Sequence, residues 1–168
     1  FVAGQLAHAR GLAVFASPNV NSYRRLHSGP EAPGAAIWGH ANRAALVRVS
    51  RAPGPDESIE YRGADATANP YLLIAALLVT GAAGVEDDLE LQAPNDEVAG
   101  GFEPASVRYE QLPRNLDEAL DALAKDDVLL DGFDRVLLNI LESGRRAELE
   151  DFRANVTGWE TDRYLDEG

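Results

Sequence analysis

Ala45-Leu46-Val47-Arg48-Val49-Ser50-Arg51, then the run Ala52-Pro53-Gly54-Pro55-Asp56-Glu57, then Ser58-Ile59-Glu60-Tyr61-Arg62 decide how this chain reads. The outer runs interleave apolar and polar residues, and the Pro- and Gly-rich segment between them suits a turn. They predict two antiparallel arms. Alternate residues of a strand share a face, so Val47, Val49, Ile59 and Tyr61 make a core surface and Arg48, Glu60 and Arg62 collect on the other side. Arg48 is expected opposite Arg62, with Ser50 opposite Glu60. The charged face is either a solvated surface of ion pairs, which contribute little, or an anion site. In an anion site, guanidinium forks grip carboxylates or phosphates while the carboxylate takes a divalent cation. Spacing alone does not choose between the two.

Upstream of the arms, residues 1–16 (FVAGQLAHARGLAVFA) hold Leu6, Ala9 and Ala13 at helical spacing and predict one helix, stopped by Ser17-Pro18-Asn19. Gly29, Pro30, Pro33 and Gly34 make residues 21–35 loop-like, and Ala36–Trp38 is a further strand candidate. Downstream, Asn69-Pro70 is a helix start, with Asn as N-cap and Pro at the first helical position. The helix from Pro70 to about Thr80 is apolar around nearly its whole circumference, which predicts burial, and Gly81 and Gly84 are expected to end it.

Residues 85–113 read as an irregular surface excursion. Asn115-Leu116-Asp117-Glu118 resembles a capping box, with Leu116, Leu120 and Leu123 on one helix face. Leu129 to Leu141 predicts another helix. Leu149, Phe152, Val156 and Trp159 mark the apolar stripe of a last one.

Composition narrows the field. With 168 residues, 45% hydrophobic and 26% charged, the chain has about one domain's worth of sequence and can bury a core. It has no cysteine, which excludes disulfides, thiolate metal sites and cysteine nucleophiles. Tyr71 to Ala83, the longest apolar stretch, is too short to span a bilayer. Methionine is absent even at position 1, which predicts a piece of a longer chain.

The formal net charge is −13, and Lys125 is the only lysine. Residues 1–84 hold seven arginines against five acids, whereas residues 85–168 hold 23 acids against eight basic residues. Phosphate repulsion makes nucleic acid an unsuitable partner. The acid-rich, lysine-poor composition suits a solvated surface in the salt-rich cytoplasm of a halophile.

One resemblance joins these pieces. Asn21-Ser22-Tyr23-Arg24-Arg25-Leu26, Glu31-Ala32-Pro33, Asn42-Arg43 before Val47-Arg48-Val49, Glu60-Tyr61-Arg62, and Ala68-Asn69-Pro70-Tyr71-Leu72 resemble the C-terminal part of the glutamine synthetase catalytic domain in order and spacing. Leu112-Pro113, Asn115-Leu116, Glu118-Ala119-Leu120 and Trp159-Glu160 resemble that family's C-terminal region less specifically.

The resemblance implies an α+β fold: a curved antiparallel β-sheet backed by helices, with a helical C-terminal region. Residues 1–84 would form the active-site half and residues 85–168 an acidic, mostly helical remainder of the same domain. It implies a cytoplasmic ligase that activates glutamate with ATP and Mg²⁺ or Mn²⁺ and then joins it to ammonia. The assembly would be a large homo-oligomer with active sites between subunits.

By motif, Arg25 and Arg62 would hold the glutamate substrate. Glu31 would lie on a mobile flap and help accept the ammonium proton. Arg43 would contact the transferring phosphoryl group, Arg43 and Arg48 the nucleotide phosphates, and Glu60 a metal ion. The other metal ligands and the adenine site are expected upstream of Phe1, so residues 1–168 alone should show no turnover.

Departures from the pattern keep other outcomes open. The run Ser28-Gly29-Pro30-Glu31 lacks the usual Pro-Gly and aromatic, and Ala41 and Ser58 stand where basic residues are common. Trp38-Gly39 and Arg62-Gly63-Ala64-Asp65 resemble relatives that join glutamate to polyamines or other amines. A catalytically silent regulatory homologue is a third possibility.

Overall fold

A computed structural model describes residues 1–50, 58–96 and 109–165. The chain is mostly helical over these residues. In order it forms α1 (Val2–Ala7), α2 (Ala9–Ala16), α3 (Ser22–Leu26), β1 (Trp38–Gly39), β2 (Val47–Val49), β3 (Ile59–Tyr61), α4 (Pro70–Glu86), α5 (Leu116–Leu123), α6 (Asp127–Asp131), α7 (Arg135–Ala154) and α8 (Gly158–Tyr164). The connecting run 52–57 between the two sequence-predicted arms lies outside the described residues, as does Arg51.

The strands form one small sheet in the order β1-β2-β3. β2 and β3 are antiparallel as expected, but Arg48 lies opposite Glu60, Val47 opposite Tyr61 and Val49 opposite Ile59. The register therefore differs by two residues from the sequence expectation. An even slip leaves every side chain on its face, so the charged side still collects Arg48, Glu60 and Arg62. It also sets a base opposite an acid, whereas facing arginines would repel.

β1 joins β2 in parallel, Trp38 opposite Val47, so the sheet is mixed where an antiparallel one was expected. Ala35 and Ile37 precede it and form a small apolar cluster with Ala45. On the apolar side, Val47 is buried, Val49 and Tyr61 are half-buried, and Ile59 is exposed.

The predicted helix over residues 1–16 is two helices. The break is at His8, whose Nδ1 donates to the Asp126 carboxylate at 2.9 and 3.0 Å. Asp126 also caps α6 by accepting from the Leu129 N–H. α4 starts where Asn69-Pro70 predicts, the Asn69 side chain accepting from the Tyr71 and Leu72 N–H groups.

Gly81 and Gly84 do not end α4; it runs on to Glu86. Their small size serves close packing. A Cβ on Gly4 of α1 would come within 2.0 Å of the Thr80 carbonyl oxygen, and one on Gly84 within 2.5 Å of the Gly4 Cα. Nor is α4 buried all round. Ala76, Thr80, Gly81 and Gly84 are buried, but Tyr71, Ile74, Leu78 and Val85, at helical spacing, are exposed.

In the acidic half, Asn115 caps α5 and exchanges hydrogen bonds with Glu118, while Leu116, Leu120 and Leu123 are buried. The helix expected over Leu129–Leu141 is split into α6 and α7 because Asp126 and Asp134 each cap a new start. Phe133, in the gap, stacks on Phe15 at 4.9 Å. The stripe from Leu149 to Trp159 is also interrupted: α7 ends at Ala154, Thr157 and Glu160 form a capping box for α8, and Val156 and Trp159 are exposed. One continuous core draws Leu12, Val14, Leu26 and Leu46 from the first half together with Leu116, Leu120 and Leu129 from the second.

Candidate active site

The site grows from the end of β3. Arg62, just past that strand, donates its backbone N–H to the Leu46 carbonyl at 2.8 Å. The next residue, Gly63, is buried, and a Cβ there would meet the Tyr61 ring and Leu46 at under 3 Å, so only glycine fits without displacement. Its carbonyl accepts from the buried Ser17 hydroxyl at 3.1 Å and from Arg25 Nη2 at 2.8 Å. Arg25 Nη1 reaches the Arg62 carbonyl at 3.3 Å. The end of α2, the helix α3 and the sheet therefore meet at one turn, and Arg25 ties them.

On the sheet, Glu60 stands between two guanidinium groups. Arg48 Nη2 contacts one carboxylate oxygen and Arg62 Nε lies 3.6 Å from the other. Arg62 Nη1 also donates to the Ala45 carbonyl at 3.3 Å. Of the three side chains Arg62 is the least exposed, at 20%, against 40% for Arg48 and 48% for Glu60. Two arginines against one acid leave a net positive charge open to an anion.

Glu31 and Arg43 form a second pair, Arg43 Nη1 to Glu31 Oε1 at 3.3 Å, both largely exposed. Arg43 is positioned by its neighbour. Asn42 is buried, donates from Nδ2 to the Asn95 carbonyl at 3.0 Å and accepts from the Ala44 N–H at 2.8 Å. The Ala45 N–H donates to the Asn42 carbonyl, and the Ala45 carbonyl takes Arg62, so the turn 42–45 connects the two pairs. Arg25, Arg48, Glu60 and Arg62 thus form one linked cluster. Arg43 and Glu31 adjoin it through this turn.

Titration around the cluster is set by burial and by Arg25. Burial pushes the Tyr61 phenol well above its usual value, and the Arg25 charge opposes this. For Asp65, burial alone would raise the carboxyl. Hydrogen bonds from Thr67 and Ser22, together with the charge of Arg25, bring it below the usual carboxylate range.

Among the described residues, no group of three His, Cys, Asp or Glu side chains converges to hold a metal ion. Glu60 therefore offers a cation one carboxylate and no more. None of the described helices is long and apolar enough to cross a membrane.

Sequence reasoning missed the supports. Ser17 read only as a helix stop. Asn95 and Asp96 read as part of an irregular excursion, yet Asn95 holds Asn42 and Asp96 accepts from the His40 and Ala41 N–H groups. The Pro94-Asn95-Asp96 turn chemistry was the available signal.

Residues 1–164 match the family described as glutamine synthetase, catalytic domain. The chain is 39% identical over 168 residues to a glutamine synthetase of Methanocaldococcus jannaschii, with 98% of this chain and 37% of the relative covered. Similarity to the glutamine synthetase of Thermotoga maritima is 38% over 170 residues, covering 98% and 38%. The one from Halobacterium salinarum is 36% identical over 169 residues, covering 99% and 37%. The chain therefore spans less than two fifths of the length of these relatives.

Among solved structures, apo GmaS without ligand superposes with a TM-score of 0.84 at 36% identity, over 99% of this chain and 37% of the other. A GmaS/ADP complex gives 0.85 at 35% identity, over 99% and 39%.

Proposed function

This chain belongs to the glutamine synthetase catalytic-domain family, and we propose that it forms the anion-handling part of the active site of an ATP-dependent ligase joining ammonia to the side-chain carboxylate of glutamate. The observation that carries this is the cluster at the end of the sheet, where Glu60 is held between Arg48 and Arg62 while Arg25 braces the same turn.

The chemistry sets anion against anion. A carboxylate oxygen of glutamate attacks the terminal phosphorus of ATP, the bond to the bridging oxygen breaks, and ADP leaves with that electron pair. Ammonia then adds to the γ-glutamyl phosphate carbonyl and phosphate departs. Cationic side chains stabilise the charge that develops.

In this reading Arg25 and Arg62 hold the glutamate carboxylate, Arg43 contacts the phosphoryl group in transfer, and Arg48 meets the nucleotide phosphates. Glu31 accepts a proton from the incoming ammonium. Its pairing with Arg43 supports placing both at the phosphoryl transfer point. The ADP complex of a relative at a TM-score of 0.85 supports a nucleotide substrate.

Glu60 would supply one oxygen ligand to Mg²⁺ or Mn²⁺, which when bound neutralises phosphate charge. Among the described residues too few ligands converge to build that site. The relatives' greater length supports locating the remaining ligands and the adenine site in further polypeptide, so this stretch alone should not turn over. We propose further a cytoplasmic homo-oligomer with active sites between subunits.

A γ-glutamyl-amine ligase using a larger amine is the second reading, resting on Trp38-Gly39 and Arg62-Gly63-Ala64-Asp65. A silent regulatory homologue, resting on Ala41 and Ser58, is the third. Phosphate release by the complete protein, given glutamate, ATP and a panel of amines, separates them. Release driven by ammonia upholds the proposal, preference for a larger amine replaces it with the second, and silence with every amine leaves the third.

A further inference from the structure

Along α4 the exposed side chains fall on one line. Tyr71, Ile74, Leu78, Ala82 and Val85 step by three and four residues, which places them on a single face of the helix. Tyr71 is 84% exposed, Val85 62%, and Ile74 and Leu78 56% each. The opposite face is already packed: Ala76 and Thr80 are fully buried, and Gly4 brings α1 close against Thr80 and Gly84. At 1.5 Å per residue the exposed stripe runs about 21 Å from Tyr71 to Val85.

No charged residue occurs from Pro70 to Val85, in a chain that carries 28 acidic and 15 basic residues. The stripe therefore offers a charged partner nothing to pair with and fits an apolar protein surface. A helix lying on a lipid surface carries lysines and arginines along its polar face. α4 has none over this run, and its other face joins the core through Ala76.

The rest of the protein supplies the cover. This chain is the C-terminal part of its family's catalytic domain and spans less than two fifths of the relatives' length. The GmaS structures hold the same fold as 37% and 39% of their chains. Upstream polypeptide is also delivered to the right place, because a Cβ added to Gly81 would run into the Phe1 ring. Gly81 is three residues from Leu78 and four from Val85, so Phe1 marks the rim of the stripe.

We propose that the exposed face of α4 is the docking surface for an apolar segment of the same chain, lying upstream of Phe1. Tyr71, Ile74, Leu78 and Val85 are then core residues of the complete domain. The burial that the apolar circumference of α4 predicts is completed from outside residues 1–168. This needs only that the chain be part of a longer protein, and it does not depend on the ligase reading.

The test uses the complete protein. With Tyr71→p-benzoylphenylalanine, irradiation should link position 71 within its own chain, giving a product of single-chain mass whose cross-linked peptide maps upstream of Phe1. A link to a second chain overturns the proposal in favour of contact between copies. A link only within residues 1–168, or no link, overturns it too.

Ala82→Cys adds one sulfur to the stripe and gives an answer even if the larger side chain disturbs folding. Residues 1–168 contain no cysteine of their own. The new thiol should react with a soluble thiol reagent at least about tenfold more slowly than that of Lys125→Cys, at an exposed charged position, each rate corrected for the unmodified protein. Equal rates overturn the proposal.

Discussion

Substituting Gly4 by alanine tests the contact that holds α1 against α4. The added Cβ would sit 2.0 Å from the Thr80 carbonyl oxygen and 2.8 Å from the Gly84 Cα and N, where ordinary contact begins at 3.4 Å. These are backbone atoms and cannot rotate away, so the helices must separate by more than an ångström. Overpacking of this kind costs about 1–3 kcal/mol, occasionally more. Alanine's better helix propensity returns up to about 1 kcal/mol. We expect a net loss of about 2 kcal/mol or more, because every neighbour of the new methyl is main chain.

Gly144 is the internal control. It lies within α7, and a Cβ there meets nothing within 4 Å. Gly144→Ala should therefore stabilise by about 0.5–1 kcal/mol through propensity alone. Urea unfolding of both variants beside the unmodified protein reads the difference. A Gly4→Ala protein as stable as Gly144→Ala would refute the close packing of α1 on α4.

Two further outcomes follow. The hydrogen bond from His8 to Asp126 raises the imidazole above its usual 6.5, burial opposing the rise and the Asp126 charge adding to it. This contribution to stability is complete below the unfolded value, near 6.5, and is lost as pH climbs through the raised folded value. The urea midpoint should fall across that window and His8→Gln should flatten the fall; an equal slope in both proteins would remove His8 as the cause. Glu60→Ala should weaken the divalent-metal dependence of phosphate release while changing stability by no more than about 1 kcal/mol, because its ion pairs are half exposed. An unchanged metal titration would take Glu60 out of the site.

Alternation made the charged face legible in the sequence. Arg48, Glu60 and Arg62 share it in any register of even offset, so a two-residue error left the site readable while misplacing the facing pair. Caps were legible too: Asn69 and Asn115 act as their sequence context predicts. Glycine misled at Gly81 and Gly84 because a helix stop and a close helix contact leave the same residue in the sequence, and only the approach of Gly4 distinguishes them. Burial of α4 was overestimated because an apolar circumference says nothing about how many neighbours cover it. Tyr71, Ile74, Leu78 and Val85 remain exposed among the described residues. The Asn42–Asn95 and Ser17–Gly63 hydrogen bonds link residues 53 and 46 positions apart, a separation that local pattern does not report.

The most direct measurement is steady-state kinetics of Arg62→Ala in the complete protein, with glutamate and ATP varied separately. A guanidinium fork on a carboxylate contributes about 1.5–3 kcal/mol, so the glutamate KM should rise roughly tenfold or more while the ATP KM stays within about twofold. A glutamate KM equal to that of the unmodified protein would contradict the assignment of this cluster to the substrate carboxylate.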